Sequence, residues 1–554
     1  MRKKSNFIVQ GGILAAAGIL SRIIGIARRF PMEHIIGDVG NGYYSAAYEV
    51  YAMMLIISCY SLPLAVSKVV SAKIGKRQYR NANRAFQCAM AFAVAAGGLT
   101  FLIVEVFGDV LATNFMLEPM SAMALKVLGP ALLIVSIMGV FRGYFQAHRT
   151  MIPTSLSQIV EQVANAVISI GAAVFFIHAF AGGDADKIPV FGAMGSAAGI
   201  GAGVITGLLF MLFIYSCNKK YFKKEIQKDD TGVDSSYKDI FRIIFMMVTP
   251  VILSTFVYNI STVVDQTLFM DIMGFKRMAS ETAASLYGVF SGKYWVLINV
   301  PIALANSMST AMIPAISGSY ELKDYKKCRG HVRQAIHFTM VISIPAAIGM
   351  GALAYPIMEV LFPQKATIDL AVSILRTGCI SIIFYALSTV SNGVLQGIGK
   401  VNIPLRNAAV SLVLHVVLLT PLLYFTNLNL YALVFATMFY AFLMCLLNNL
   451  SVRKYLGYHQ EMKRTFMIPL LSSVIMGILC YVFYQGIYLI LSGIFGSFIH
   501  LRILVFICLM ISVGFAVIVY FVLVLKLKGI TEAELRNFPK GNMLVRMAKK
   551  SKLL

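Results

Sequence analysis

Fourteen apolar runs, each long enough to cross a bilayer as a helix, constrain this chain more than any other feature. They lie near 7–29, 43–68, 85–107, 122–145, 155–180, 191–217, 240–270, 283–317, 334–362, 367–395, 408–426, 428–451, 465–491 and 501–525. A helix needs about 20 residues to cross roughly 30 Å of hydrocarbon. Composition agrees: 58% of residues are hydrophobic and 13% charged, about half the charged share of a soluble domain, and the mean hydropathy is +0.78. The expected fold class is an all-α polytopic membrane protein. The opening MRKKSNFIVQGGILAAAGIL has the basic and apolar regions of a signal peptide, but its apolar run continues past any cleavage point. It is read as a retained first helix.

Charge placement tests the count. With the N-terminus inside, 37 of the 48 Lys and Arg fall in cytoplasmic ends and loops. Seven fall outside (Arg28, Arg29, Lys187, Lys276, Arg277, Lys365, Arg502) and four within spans (Arg22, Lys126, Lys293, Arg376). A missed helix would scramble this alternation, so both termini are expected in the cytoplasm. The same bias accounts for the net charge of +24 without a nucleic-acid partner.

The chain also repeats itself. Gly143 and Gly393 stand 250 residues apart, as do Gln146 and Gln396, while Pro153 precedes Pro404, and Pro63 precedes Pro314, by 251. An offset of six helices preserves membrane orientation and predicts two parallel repeats. The expected organisation is an N-lobe over 1–217 (helices 1–6), a cytoplasmic linker over 218–238 and a C-lobe over 239–452 (helices 7–12). A helix pair over 453–526 and a basic, lipid-facing cytoplasmic tail over 527–554 follow, the latter carrying Lys549, Lys550 and Lys552. The paired Gly-x-x-Gln…Pro loops read as elbows on which the lobes rock.

No soluble catalytic motif is present: no Walker loop, GxSxG, HExxH or usefully spaced carboxylate pair. The eight cysteines are isolated, which argues against structural disulfides and zinc. The chain reads as a non-enzyme without a cofactor, driven by Na⁺ or H⁺, the membrane potential or its substrate's own gradient.

A charge in hydrocarbon costs at least about 2.5–3.5 kcal/mol, so ionisable residues inside spans stand out. Arg22 and Arg29 are seven apart on one face of the first helix, and Arg28 turns away unless Gly25 or Pro31 distorts it. They read as a cationic wall for an anionic headgroup, or, for Arg28 and Arg29, as snorkelling side chains. Asp265, among hydroxyls and amides, reads as a carrier of Na⁺ or a proton, or as an ion-pair partner of Lys293. Lys293, beside the only tryptophan, Trp295, reads as a substrate contact or as snorkelling beside an interfacial anchor. Glu49 and Glu161 have polar neighbours that suit structural roles, and Lys126 and Arg376 lie where they can snorkel.

The run Arg142-Gly143-Tyr144-Phe145-Gln146, Met151-Ile152-Pro153-Thr154, Ser157-Gln158-Ile159-Val160-Glu161-Gln162 resembles the polysaccharide-biosynthesis branch of the multidrug/oligosaccharidyl-lipid/polysaccharide (MOP) exporters. Within it, the chain is similar to the stage V sporulation protein B and Gram-positive MurJ-like lipid II flippases. Ser21-Arg22, Gly25, Arg28, Leu62-Pro63, Val66-Ser67-Lys68 and Val394-Leu395-Gln396-Gly397 also fit. The resemblance implies fourteen helices in two lobes around a cationic cavity, in a bacterial plasma membrane. It implies an alternating-access flippase for an undecaprenyl-pyrophosphate-linked sugar, lipid II or a related oligosaccharide, serving cell-wall or surface-polysaccharide synthesis. By position, Arg22, Arg28 and Arg29 become substrate contacts, Asp265 an ion-coupling carboxylate, and Asn407 and Ser411 residues that complete its site. Asn41 stands where the family carries an acid, and Lys293 sits about one turn before the family's cation. The implied partners are the lipid-linked glycan, membrane lipids and cell-wall synthases. Two other functions stay open: a cation-coupled drug exporter of the same fold, which calls for acidic cavity residues, and a non-transport membrane scaffold.

Overall fold

A computed structural model describes residues 7–59, 62–148, 150–362, 364–495, 500–536 and 541–550. Among them every regular element is helical, as expected where lipid cannot satisfy backbone polar groups. Among the described residues eleven helices are long and apolar enough to cross a membrane, or twelve if the bent pair Lys365–Gly378 and Ser381–Gly397, 49° apart, is one span. The first two expected spans belong to a single helical run, Phe7–Ser58, so the loop expected over 30–42 is helical as well. That run breaks direction at Gly37, whose φ of 67° and ψ of −177° a residue with a Cβ tolerates poorly. The second expected span pauses after Ser58 and resumes as Leu62–Gly75. The ninth is two helices, Tyr325–Ala352 and Ala354–Leu361. The seventh is the helix Tyr237–Phe275.

The chain forms two compact units, Met1–Gly292 and Lys293–Leu554. In the first, Leu125, Leu128, Leu132, Met138 and Met211 are fully buried between the helices Tyr79–Val110, Ala122–Ala147 and Ile188–Gln227. The last of these packs along Ile152–Phe176 through a stripe of glycines at every fourth position. A Cβ on Gly195 would lie 2.3 Å from Ala173 Cα, on Gly199 1.9 Å from Ser169 Oγ, and on Gly203 2.7 Å from the Glu161 carbonyl. In a membrane, where apolar burial drives little association, such backbone approach is what packs helices together.

The polar segment after this unit's sixth long helix is fastened down. Ile188–Gln227 runs well beyond the bilayer's needs, and the residues after it lie along 73–88. The Asp229 carboxylate accepts the Arg80 backbone N–H at 2.7 Å. Asn81 donates to the Val233 carbonyl and accepts the Ser235 N–H. Arg84 pairs with Asp234 at 2.9 Å and lies over the Tyr237 ring. Gln78, the residue at which the helix Tyr79–Val110 begins, offers no side-chain cap. Asp229 therefore supplies it from a distant part of the chain.

In the second unit Val332, Ile336, Val390, Val394 and Val452 join the helices Tyr325–Ala352, Ser381–Gly397 and Leu430–Leu456. Cys480, Leu504, Cys508 and Val524 join the late helices Ile468–Phe495 and Leu501–Lys526. The tail forms the short helices Glu532–Arg536 and Gly541–Lys550, with Leu535 and Val545 buried against that second group. Glu534 accepts from Arg464, and Glu532 pairs with Lys549 at 2.9 Å. Lys552 lies outside the described residues.

Candidate functional site

Arg28, not Arg22, is the buried cation of the first helix. Arg22 is exposed and Arg29 partly buried, whereas Arg28 is 8% exposed. Its Nη1 donates to Ser169 Oγ at 2.8 Å and Ser196 Oγ at 3.5 Å, and its Nη2 to Tyr44 Oη at 3.3 Å. The guanidinium also faces the Tyr44 ring, 5.9 Å from its centroid. Ser169 in turn donates to Asn165 Oδ1 at 2.9 Å. The glycine stripe brings Ser169 and Ser196 this close to one another. All of these acceptors are neutral, and Nε has no hydrogen-bond partner among the described residues. The cation is solvated by hydroxyls and keeps its net charge.

Asn41 donates to Glu33 Oε2 and to the Gly37 carbonyl, the latter at 3.1 Å. Glu33 and Asp38 are 2% and 7% exposed. Asn41, where the resemblance leads one to expect an acid, thus lies among two buried acids. Sequence reasoning missed both because the stretch read as an outer loop. The eight-residue spacing of Glu33 and Asn41, with Pro31 before them, was the available signal.

Asp265, 3% exposed, interacts electrostatically with Glu49. Tyr287, almost fully buried, donates its hydroxyl to Glu49 Oε1 at 2.9 Å and feels both carboxylates. Glu49 and Tyr287 thus meet through a hydrogen bond, with the Asp265 carboxylate near both.

Lys293 opens the second unit. It lies in a π-helical turn, Val289–Tyr294, a distortion common at functional positions. It is 1% exposed, its Nζ donating to Thr367 Oγ1 at 2.8 Å and lying 5.9 Å from the Phe362 ring centroid. It is fully enclosed, so it does not snorkel. Trp295 meets Tyr385 edge-on at 5.5 Å. Asn407 donates to Asn448 Oδ1 at 2.9 Å and Ser451 Oγ at 3.1 Å, and Asn448 donates to Asn392 Oδ1 at 2.8 Å. Ser411 is fully buried and its Oγ has no partner among the described residues.

Asn392, Asn407 and Ser411 are the residues 250 positions after Arg142, Ser157 and Glu161. In the first unit those three form an ionic clasp: Arg142 donates to Ser157 Oγ at 2.9 Å and pairs with Glu161 at 2.7 Å. The residues at these matching positions in the second unit carry no charge, and Asn392 and Asn407 are joined through Asn448. Lys126 pairs with Asp109 at 2.6 Å on the surface. Among the described residues no three His, Cys, Asp or Glu side chains gather as a metal site.

The family model for the lipid II flippase MurJ matches residues 66–506. The chain belongs to the MurJ family of lipid II flippases. Among curated relatives, the lipid II flippase MurJ of Bacillus subtilis (strain 168) is 26% identical over 491 residues, covering 86% of this chain and 88% of its own. Stage V sporulation protein B of the same organism is 24% identical, covering 65% and 67%. Among solved structures, a lipid II flippase MurJ in an inward closed conformation matches with a TM-score of 0.64 at 15% identity, covering 92% of this chain and 97% of its own. An inward-facing multidrug resistance MATE family transporter of the MOP superfamily matches at 0.61 with 16% identity, covering 78% and 98%. The fold is that of MOP transporters, and this MurJ-family chain is a multi-helix protein of the bacterial plasma membrane. At the level of the family it is a transporter and not a catalyst.

Proposed function

We propose that the protein moves an undecaprenyl-pyrophosphate-linked sugar precursor, lipid II or a related lipid-linked oligosaccharide, from the cytoplasmic to the outer leaflet by alternating access. Family membership over residues 66–506 is the observation that carries this reading. The reading keeps fourteen helices as two parallel repeats plus a terminal pair, with both termini in the cytoplasm and service to cell-wall synthases. A pyrophosphate in a low-dielectric site requires several cations, and the first helix offers Arg22, Arg28 and Arg29 within two turns. Arg28 supports the reading further, since its hydroxyl partners leave its charge available to an anion. Asn41 and Lys293 complete the proposed substrate contacts. The polyprenyl tail stays in lipid while the headgroup passes.

Coupling to H⁺ or Na⁺ is proposed at Asp265, a buried carboxylate with Glu49 in its neighbourhood. Asn407 and Ser411 are carried as further polar groups for that step, and the membrane potential remains an alternative drive.

The test is depletion of the cell's flippase and complementation with variants, reading the lipid-linked precursor that accumulates in the inner leaflet. Wild type should clear it. Arg22→Ala and Asp265→Ala should reach the membrane in normal amount and leave it uncleared. Full clearance by both variants would sink the assignment, and accumulation of a cationic drug in place of a glycan would favour a drug exporter.

A further inference from the structure

The second unit contains a cavity that the transport reading does not use. It has a volume of about 240 Å³ and lies where the helices Tyr325–Ala352, Ile368–Gly378 and Ile468–Phe495 come together. Tyr355, Tyr481, Tyr484 and Gln485 line it, along with Asp369 and Arg376. The two charged residues are seven apart, so they share one face of Ile368–Gly378 about 10 Å apart along its axis. Neither side chain has a hydrogen-bond or ion-pair partner among the described residues.

Arg376 is the harder of the two to explain. Both side chains are exposed, and Arg376 lies two turns further along Ile368–Gly378 than Asp369. An exposed arginine on an apolar stretch that has no protein partner turns its guanidinium to water or to a lipid headgroup. The order of the charges adds direction. Asp369 is near the end at which this helix enters the bilayer, and Arg376 is two turns deeper. A zwitterionic phospholipid carries its charges in the same order, ammonium at the surface and phosphate below it. The volume sets the size: it falls short of the roughly 300 Å³ at which small-molecule pockets begin, too little for a sugar-peptide precursor but suited to a phospholipid headgroup. Tyrosines suit this depth, with rings toward the acyl chains and hydroxyls toward the headgroup.

We propose that this cavity holds the headgroup of an outer-leaflet phospholipid bearing a primary amine, its phosphate on the Arg376 guanidinium and its ammonium on the Asp369 carboxylate. The leaflet follows from the charge pattern, which puts the entry of this helix outside. The proposal does not depend on which glycan the protein moves.

The experiment is native mass spectrometry of the full chain, delipidated in mild detergent and titrated with phosphatidylethanolamine, phosphatidylglycerol or phosphatidylcholine. A charge-assisted hydrogen bond is worth enough for roughly a ten-fold preference, so phosphatidylethanolamine should bind about ten-fold tighter than either competitor. Asp369→Asn should abolish that preference while keeping phospholipid binding. Arg376→Gln should lose all three lipids, and Arg376→Lys should retain them, which separates loss of the phosphate contact from misfolding. Inorganic phosphate at millimolar concentration should not compete. Equal binding of the three lipids to wild type, an unchanged pattern in Asp369→Asn and Arg376→Gln, or displacement by free phosphate would each overturn the proposal.

Discussion

Arg28 shows how far a buried side chain's role departs from its helical wheel. A cation whose neighbours are Ser169, Ser196 and Tyr44 is a costly way to stabilise a fold, because buried charges are often replaced by apolar residues without loss. Arg28→Met should therefore melt at or above the wild-type temperature in detergent while transport falls at least about ten-fold. A lower melting temperature with intact transport would make Arg28 structural. Glu118 gives a prediction with a sign. It is 1% exposed in the turn between two spans, neither carboxylate oxygen has a partner among the described residues, and burial pushes its pKa up to about 8. A carboxyl whose folded pKa is raised contributes most when protonated, and that contribution fades as pH climbs from the ordinary glutamate range to about 8. Thermal melts should show wild type losing stability across that window and Glu118→Gln staying flat. Arg22, Asp265 and Lys293 stand out in the sequence as charges in apolar runs, and of these Asp265 and Lys293 are buried while Arg22 is exposed; Arg28, read at the outer end of its helix, is buried. The partners of Arg28 were not legible, since Ser169 and Ser196 follow it by 141 and 168 residues and look like any other small residues of a span.

Among the elements, the segment after Gln227 shows most that the sequence does not announce. It reads as a cytoplasmic linker, and in the structure Asp229, Val233, Asp234 and Ser235 are each bonded to 80–84. Nothing local announces this, because the receiving donors lie about 150 residues upstream. Losing a helix cap costs about 1 kcal/mol, so Asp229→Ala should speed amide exchange at the start of Tyr79–Val110 and in 228–237 about five-fold. Unchanged protection would show that Asn81 and Arg84 hold the segment alone. Hydrogen bonds from Thr231, with the Arg80 N–H, hold the Asp229 carboxyl below the usual aspartate range. Docking should thus be complete above that range and fail only as pH falls through the depressed value. The glycine stripe is stricter. Gly199→Leu would place a side chain where Ser169 already sits, and the protein should fail to accumulate in the membrane.

At the level of the whole molecule, helical class and approximate spans could be read from apolar run lengths, while breaks within runs could not. The pause between Ser58 and Leu62 and the step at Leu353 fall inside apolar runs, and hydropathy passes over them smoothly. Orientation remains open to a direct check: in intact cells of a cysteine-free background, an impermeant maleimide should label Asp184→Cys and should reach Asp230→Cys only after permeabilisation. The reverse pattern would invert the proposed topology. The duplicated motif predicts unequal halves. Arg142 and Glu161 are mostly buried and paired, so Arg142→Met alone leaves an acid uncompensated and should cost about 3 kcal/mol, much of it recovered in Arg142→Met/Glu161→Leu. Asn392→Ala in the second unit should cost nearer 1 kcal/mol. Calorimetry of the three variants and wild type in one detergent separates these outcomes. The borrowed cap also sets a clock on biogenesis. Arg80 and Asp229 are 149 residues apart, which at 5–20 residues per second is about 7–30 s of translation. For that interval the first turn of Tyr79–Val110 lacks its cap, which closes only once the ribosome has delivered Asp229.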